Sequence, residues 1–416
     1  MRELDSERWA LDTFGGAGLG DARRTKRLVR VAASAAARPA GTVTSVLQKP
    51  CEREAAYRLL ENERVCPREL ARSVGEATAR RARARDWVYV AVDQTTLSFI
   101  DRKNLRGLGR VADGAYRNCR GLEVVNGLAV DPDGRTLGMS AMRWRVRPDA
   151  STQGRAPAAR ESAMWREVMT DTAGHFRLHA PHTTLWFQLD AGADHALNFF
   201  KANELGHHIT VRCQHNRWIQ TDAGRGKLFD EVSRAPRLGI KALPKTRRRG
   251  RARLAVRAAA VTVLFPALPV NNAPRVPVDL YVVQVRQVGR VAAGRERICW
   301  NLLTTYPVEE LGDALEVVEA YTMRWRIEDF YRTWKNGHCR LEDSQLRSRG
   351  AILRWAIILG AVAARIERIK HRSREEPDAS ASSEFTRDEI DAAITLSRSE
   401  ERRVGKECRS RWSPYH

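Results

Sequence analysis

The sequence predicts an α/β protein in which helices flank a mixed β-sheet, and two patterns indicate this fold. Apolar runs at residues 87–92 and 183–189 are typical of buried strands, and residues 121–130 and 136–146 predict two more. Helical segments alternate with them, so the predicted order is strand, strand, strand, helix, strand, helix. Residues 313–337 contain no proline and repeat apolar side chains at helical spacing, which predicts one long amphipathic helix.

Composition limits the class of partner. The chain has 416 residues, enough for two or three domains. Its 72 Lys and Arg residues against 50 Asp and Glu give a formal net charge of +22, with a pI near 10.4. Such a basic chain favours a polyanionic partner, and nucleic acid is the first candidate. The alternative is a ribosomal-type protein, or an arginine-rich composition that only reflects GC-biased coding.

Cysteine usage and hydropathy bear on the compartment. The seven cysteines form no Cys-x-x-Cys pair and no His/Cys cluster, which predicts a reducing environment and argues against a structural zinc. The start of the chain is charged and lacks the apolar core of a signal peptide. The longest apolar run, residues 355–364, is too short to span a bilayer. We therefore expect a cytoplasmic protein without membrane contact.

The first 84 residues predict a helical, basic region. Asp21 is suited to cap a helix that ends before Pro39, and further helices are predicted at 52–62 and 67–83. The capped helix carries four arginines: Arg23, Arg24, Arg27 and Arg30. Three short helices with one basic member suit DNA binding. A helical bundle with a solvated charged face is the alternative.

Two predicted strands each deliver a carboxylate. Asp93 follows the strand at 87–92, which we expect to end there, and Asp190 follows the strand at 183–189. Carboxylates from separate strands that converge at one edge can hold hard divalent cations. An aspartate after a strand is also a common turn residue, so neither position is specific alone.

The long predicted helix carries a third carboxylate, Glu328. Apolar residues share one of its faces: Met323, Ile327, Phe330 and Trp334. A polar stripe is turned well away from that face: Tyr321, Arg324, Glu328 and Lys335. One carboxylate among cations could hold a metal while its neighbours hold phosphates. A solvated face with an Arg324–Glu328 ion pair is the alternative.

Residues 216–304 interrupt the alternating pattern and predict a β-rich insertion. Strands are expected at 251–264, 278–288 and 297–304, with a basic loop at 245–251. That loop is either a solvated tip or a contact to a phosphate backbone. Trp300 lies in the last of these strands, where it is either a core residue or a platform for a ligand.

The spacing of the polar stripe leads to a family. Tyr321, two residues, Arg324, three residues, Glu328, six residues and Lys335 resemble the signature of insertion-sequence transposases of the IS-four family. Leu19-Gly20-Asp21 and Ala56-Tyr57-Arg58 also resemble that family, and the likeness covers about residues 8–370.

The resemblance implies a domain plan. An N-terminal helical DNA-binding domain would occupy residues 1–84, and an RNase H-like catalytic core residues 85–215 and 305–375. The β-rich insertion at 216–304 would interrupt this core, and residues 376–416 would form a linker and tail. Residues 399–416 resemble a read-through tail, so we expect the family's C-terminal dimerisation region to be cut short.

The resemblance also implies roles for single residues. Asp93, Asp190 and Glu328 match the catalytic acidic triad, which in the family binds two magnesium ions, with manganese as a substitute. Tyr321, Arg324 and Lys335 match residues that hold DNA phosphates near the cleaved strand. Trp300 matches a tryptophan that receives a flipped base during hairpin formation, and Arg212 matches a basic position that contacts DNA. The segment Asp190 to Asp194 departs from the family's Asp-Arg-Glu-x-Asp at its second and third positions.

The implied function is cut-and-paste DNA transposition. Such an enzyme binds double-stranded transposon ends and target DNA as a homodimer, cleaves strands, forms hairpins and transfers the ends, in the bacterial nucleoid. A truncated copy that binds transposon ends and inhibits transposition is one alternative. An RNase H-like nuclease without strand transfer is another.

Overall fold

The computed structural model describes residues 4–101, 106–111, 119–147, 156–222, 224–243, 252–266, 275–289, 291, 297–375 and a few positions between 381 and 395. The predicted basic loop at 245–251 and the predicted tail at 399–416 lie outside these residues. Within the described part of the chain, no helix combines the length and apolar character needed to cross a bilayer.

Helices make up the first part of the fold. Those that the structure describes before the first strand are α1 (Leu4–Phe14), α2 (Ala22–Ala37), α3 (Val43–Val46), α4 (Pro50–Glu61) and α5 (Pro67–Arg81). The three predicted helices correspond to α2, α4 and α5, while α1 and α3 were not predicted. Asp21 caps α2 as expected, because its Oδ1 accepts a hydrogen bond from the backbone N–H of Arg23 at 2.8 Å.

A mixed sheet follows. Its first strands are β1 (Trp87–Ile100), β2 (Gly109–Arg110), β3 (Cys119–Val130), β4 (Thr136–Arg145), β5 (Thr184–Leu189) and β6 (His208–Arg212). The spatial order β4-β3-β1-β5-β6 is antiparallel on the β3 and β4 side and parallel on the β5 and β6 side. The helices α6 (Ala156–His179) and α7 (Ala196–Glu204) make the crossovers between β4, β5 and β6.

The prediction that the first strand ends at Asp93 is wrong. β1 continues to Ile100, because β3 pairs with it along its whole second half as far as Ile100↔Cys119. Only the parallel pairing with β5 ends near Asp93, at Val92↔Leu189. Asp93 therefore lies in the middle of a strand, at the level where the neighbouring strand stops.

The strands of the predicted insertion extend the same sheet. They are β7 (Trp218–Thr221), β8 (Gly224–Lys227), β9 (Arg237–Leu243), β10 (Ala252–Phe265), β11 (Val276–Val288) and β12 (Cys299–Thr304), with α8 (Leu228–Arg234) between β8 and β9. β12 joins them to the core by pairing antiparallel with β6, for example at Leu302↔Arg212. The strands β10 to β12 were predicted, whereas β7 to β9 and α8 were not, because each has only four to seven residues and shows too short a pattern.

The predicted single helix at 313–337 is two helices joined by a tight turn. α9 (Leu311–Thr322) leads into a 3₁₀ turn at Met323–Trp325, and α10 (Arg326–Lys335) follows. Ile327, Phe330 and Trp334 are fully buried, as predicted. The polar stripe is not solvated, however, since Tyr321 and Arg324 are also buried. The turn tightens the backbone where the Arg324 side chain enters the interior.

The last long helix, α11 (Arg349–Glu375), holds α10 and the N-terminal helices together. Its Trp355 Nε1 donates to the carbonyl oxygen of Gly41 at 2.7 Å. The neighbouring guanidinium of Arg354 donates to the carbonyl oxygens of Leu60 at 2.7 Å and Val65 at 2.5 Å. α10 packs between α11 and β1. This packing positions Glu328 next to the middle of the sheet.

Candidate active site

Strand register brings Asp93 and Asp190 next to each other. Val92 and Leu189 are the last paired residues of β1 and β5, so the two aspartates occupy the next positions on adjacent parallel strands. The side chains of Val92 and Leu189 are buried in the apolar cluster that contains α6. Because side chains alternate along extended backbone, the two aspartates face the opposite side of the sheet, where α9 and α10 lie.

Arg324 links Glu328 to Asp93. Its Nη2 donates to Glu328 Oε1 at 2.7 Å, and its Nη1 lies 3.5 Å from Asp93 Oδ2. The Arg324–Glu328 ion pair therefore forms, as the alternative interpretation predicted. The face is not solvated, however, because the Arg324 side chain is only 10% exposed. The two carboxylates flank one guanidinium at the edge where β5 ends.

The electrostatics of Asp93 reflect this crowding. Burial, together with the negative charge of Asp190, raises the pKa of Asp93 to about 7; the Arg324 guanidinium opposes this rise and Glu328 adds to it. A neighbouring cation would stabilise the charged form of a carboxyl group in such surroundings. Three carboxylates offer only oxygen atoms, which are the donors that Mg²⁺ and Mn²⁺ prefer.

The donor set thus fits a hard divalent cation, but it is not arranged as a closed cage. Among the residues that the structure describes, no three His, Cys, Asp or Glu side chains lie close enough together to enclose an ion. Arg324 instead supplies the countercharge for Asp93 and Glu328 in this structure.

Tyr321, Trp300 and Arg212 lie at the same edge. The rings of Tyr321 and Trp300 meet edge to face with centroids 6.0 Å apart, and Trp300 is half-buried. Burial raises the pKa of Tyr321 to about 12, against the effect of the nearby cations Arg324 and Arg212 and with that of Asp190. Arg212 is exposed at the end of β6. These three side chains are therefore neighbours of the acidic residues.

Lys335 lies further along β1. Its Nζ donates to the carbonyl oxygen of Thr96 at 2.7 Å and lies 3.4 Å from Thr95 Oγ1 and 3.5 Å from Glu342 Oε1. Because Thr95 faces the same side of β1 as Asp93, the ammonium group sits on the face that carries the carboxylates. These contacts fix the position of the ammonium group.

The N-terminal arginines differ in their availability. The Arg23 side chain is 93% exposed beside Asp21, and Arg30 is also exposed. Arg24 is partly committed to the fold, because its Nη1 donates to the carbonyl oxygen of Leu19 at 2.9 Å. Arg27 is half-buried. Only part of the predicted basic face is thus presented to solvent.

The second aspartate of the segment after β5 has a structural partner. Asp194 is buried, and its Oδ2 forms an ion pair with Arg217 at 2.9 Å and accepts from the backbone N–H of Gln214 at 3.3 Å. The guanidinium of Arg217 lies over the ring of Phe265 at 4.6 Å. Asp194 therefore ties the end of β6 to the loop that carries Asp190.

Sequence analysis missed two residues at this edge. Tyr331, three positions after Glu328, donates its hydroxyl hydrogen to the carbonyl oxygen of Asp93 at 2.7 Å. Asn126 lies opposite Asp93 in the β1–β3 register and is fully buried. A signal for Asn126 was present, since it is a polar residue in the apolar run Val124-Val125-Asn126-Gly127-Leu128.

Two family models match this chain. One, described as a transposase DNA-binding domain, matches residues 6–65, which include α2 and its arginines. The other, described as a transposase DDE domain, matches residues 140–365, more than half of the chain. The chain therefore belongs to the DDE transposases, of the IS-four type. Asp190 and Glu328 fall inside the matched DDE range, and Asp93 precedes it.

This membership defines the general activity. The protein is a DNA transposase, DNA is its partner, and its DDE domain is that of an enzyme that cleaves and transfers DNA strands with divalent metal.

Proposed function

We propose that the protein is a cut-and-paste transposase whose acidic triad is Asp93, Asp190 and Glu328. One observation carries the proposal: adjacent parallel strands bring two aspartates together, and Arg324 joins the first of them to the glutamate of α10. By the family's pattern, two magnesium ions bind there, and manganese can substitute for them.

The proposed catalytic core is RNase H-like. The order β4-β3-β1-β5-β6, with two antiparallel and two parallel pairings, supports this assignment. The core would comprise residues 85–215 and 305–375, with the insertion at 216–304 and a DNA-binding domain at 1–84. The continuity of the sheet from β6 into β12 supports an insertion that is part of the core's architecture.

Each polar residue at the edge has a task in this scheme. When bound, divalent ions activate water or a DNA 3′-hydroxyl and stabilise charge on the leaving oxygen. Tyr321, Arg324 and Lys335 hold the phosphates that flank the cleaved bond, and the exposed Arg212 contacts the DNA backbone. Arg324 exchanges its carboxylate partners for a phosphate when DNA and metal arrive.

The hairpin pathway is the finer part of the proposal. Residues 321–330 resemble the corresponding segment in the transposase of transposon Tn-five. Trp300, half-buried beside Tyr321, is suited to receive a base displaced during hairpin formation. In this scheme the enzyme acts as a homodimer on paired transposon ends in the nucleoid.

Cleavage of the element's own ends tests the proposal. The wild-type chain is incubated with Mg²⁺ and DNA that carries the inverted repeats flanking its gene, and nicks, hairpins and strand-transfer products are separated on gels. We expect all three products. Asp93→Asn, Asp190→Asn and Glu328→Gln should abolish them and retain DNA binding.

The matched control is Asp329→Asn. Asp329 follows Glu328 in α10 but forms its ion pair with Arg332, 2.9 Å away, so this variant should cleave normally. Binding without cleavage by the wild-type chain would instead support the inhibitory copy. Cleavage without hairpins or strand transfer would support the simple nuclease.

A further inference from the structure

We propose that Tyr331, supported by Asn126, is a positioning residue that fixes the helix carrying Glu328 against the strand carrying Asp93. This inference rests on the proposed function of the acidic residues. The Tyr331 hydroxyl lies at the contact between α10 and β1, the two elements that would contribute Glu328 and Asp93 to a metal site.

The hydroxyl of Tyr331 bonds to the main chain of the first aspartate itself. It donates to the carbonyl oxygen of Asp93 at 2.7 Å, and the side chain is almost completely buried. Glu328 lies three residues earlier in α10, about one helical turn away. Any shift of α10 along or around its axis therefore changes the Tyr331–Asp93 bond and the Glu328–Asp93 separation together.

Asn126 gives this contact a second polar neighbour. It is paired with Asp93 in the β1–β3 register, fully buried, and adjacent to the Tyr331 hydroxyl. Its side chain interacts with the Tyr331 hydroxyl, but within the described residues neither amide atom meets the geometry of a regular hydrogen bond. Around it, the same face of β3 is apolar, with Leu122, Val124 and Leu128 in the core.

Burial of these groups has a cost in stability. A buried amide whose hydrogen bonds are poorly aligned destabilises the fold, and phenylalanine at 331 with an aliphatic residue at 126 would fill the same space without that cost. Polar groups retained at such a position, directly behind an acidic residue, are typical of shells that orient metal ligands.

A second bond sets the orientation of α10. Lys335, one turn beyond Tyr331, donates to the carbonyl oxygen of Thr96 at 2.7 Å. Two hydrogen bonds from α10 to two residues of β1 fix both the position of the helix along the strand and its rotation about its own axis. Tyr331 is the one at the level of the carboxylates, so it has the greater leverage on the Glu328–Asp93 distance.

Tyr331→Phe tests the role, because it removes the hydroxyl and keeps the ring that stacks on Trp334. The matched control is Tyr306→Phe. The Tyr306 hydroxyl also makes one short bond, to Glu316 Oε2 at 2.8 Å, in the separate apolar cluster behind β12. Mn²⁺ binding to the full chain is measured by electron paramagnetic resonance, beside DNA affinity, cleavage rate and melting temperature in EDTA.

We expect Tyr331→Phe to weaken Mn²⁺ binding about tenfold, the lower end of what loss of an outer-shell partner costs. The cleavage rate at saturating DNA should fall with it, while DNA affinity stays at the wild-type value. Tyr306→Phe should bind Mn²⁺ as the wild type does. This split separates positioning from a general loss of packing.

The opposite results are equally informative. Wild-type Mn²⁺ affinity in Tyr331→Phe, with or without a lower melting temperature, would overturn the positioning role and leave the triad untouched. Equal weakening in both variants would overturn it as well, because the effect would then follow stability alone. Absence of both Mn²⁺ binding and cleavage in the wild-type chain would refute the proposed function, and the inference with it.

Discussion

At the scale of single residues, Arg324 explains how two of the three acidic side chains, Asp93 and Glu328, coexist beside a buried strand. Its guanidinium lies between Asp93 and Glu328, so each carboxylate has a countercharge in the absence of DNA. Arginine suits this place because its planar fork can bind a carboxylate or a phosphate with the same donors. In the proposed function, the same residue stabilises the site without DNA and then binds a phosphate of the substrate.

Trp300 gives a prediction at this scale. Trp300→Ala should spare nicking of the first strand and impair hairpin formation on pre-nicked ends, since base–aromatic stacking is worth about 1–3 kcal/mol. Gel assays of the two steps on separate substrates measure this directly. Trp218→Ala is the control, because Trp218 is also half-buried in the extended sheet but lies under Lys227 Nζ at 3.9 Å. Equal loss of both steps in Trp300→Ala would make Trp300 a packing residue.

Sequence pattern pointed to the acidic residues proposed for the metal site, but not to the residues that pack behind them. Family spacing pointed to Asp93, Asp190 and Glu328, and strand register then explains why the first two are neighbours. The proposed roles of Tyr331 and Asn126 depend on the packing of α10 against β1. That packing joins positions more than 200 residues apart, and no local pattern encodes it.

At the scale of elements, α2 and the α9–α10 pair show what local patterns capture. The cap and arginine pattern of α2 predicted its start correctly. The helical spacing across 313–337 was continuous, yet the chain forms a 3₁₀ turn at Met323–Trp325. Burial of Arg324 against Asp93 favours that turn, and this tertiary contact overrides the local preference for one helix.

The exposed arginines of α2 give the prediction for this scale. Replacing Arg23 and Arg30 together by alanine should weaken binding to the transposon end and flatten its salt dependence, because fewer counterions are released. Fluorescence anisotropy across a series of salt concentrations measures both. The control replaces Arg177 and Arg234 by alanine. These two arginines are exposed on α6 and α8, so the double substitution removes the same amount of charge. An unchanged salt dependence in the α2 variant would show that these arginines form only a solvated charged face and do not contact DNA.

At the scale of the whole molecule, one apolar cluster joins the N-terminal helices to α10 and α11. It contains residues of α2, α4, β1, α10 and α11. Arg354 and Trp355 of α11 add hydrogen bonds to carbonyl oxygens of the N-terminal segment. The DNA-binding helices are thus packed onto the same core that positions Glu328.

Arg354→Leu tests this coupling. It leaves the carbonyl oxygens of Leu60 and Val65 without their donor, which should lower the free energy of unfolding by about 1–3 kcal/mol. Urea unfolding followed by tryptophan fluorescence gives the value. Arg349→Leu, at the exposed start of the same helix, should change stability by less than about 0.5 kcal/mol. Equal effects would contradict the role of the buried guanidinium.

The central claim is that Asp93, Asp190 and Glu328 form one metal site. The most direct measurement is anomalous diffraction from crystals of the full chain soaked in Mn²⁺. We predict an anomalous peak in contact with Asp93 and Asp190 carboxylate oxygens, with Glu328 turned from Arg324 toward an ion. Mn²⁺ bound only at other residues, with Arg324 still bridging Asp93 and Glu328 at saturating metal, would contradict the account.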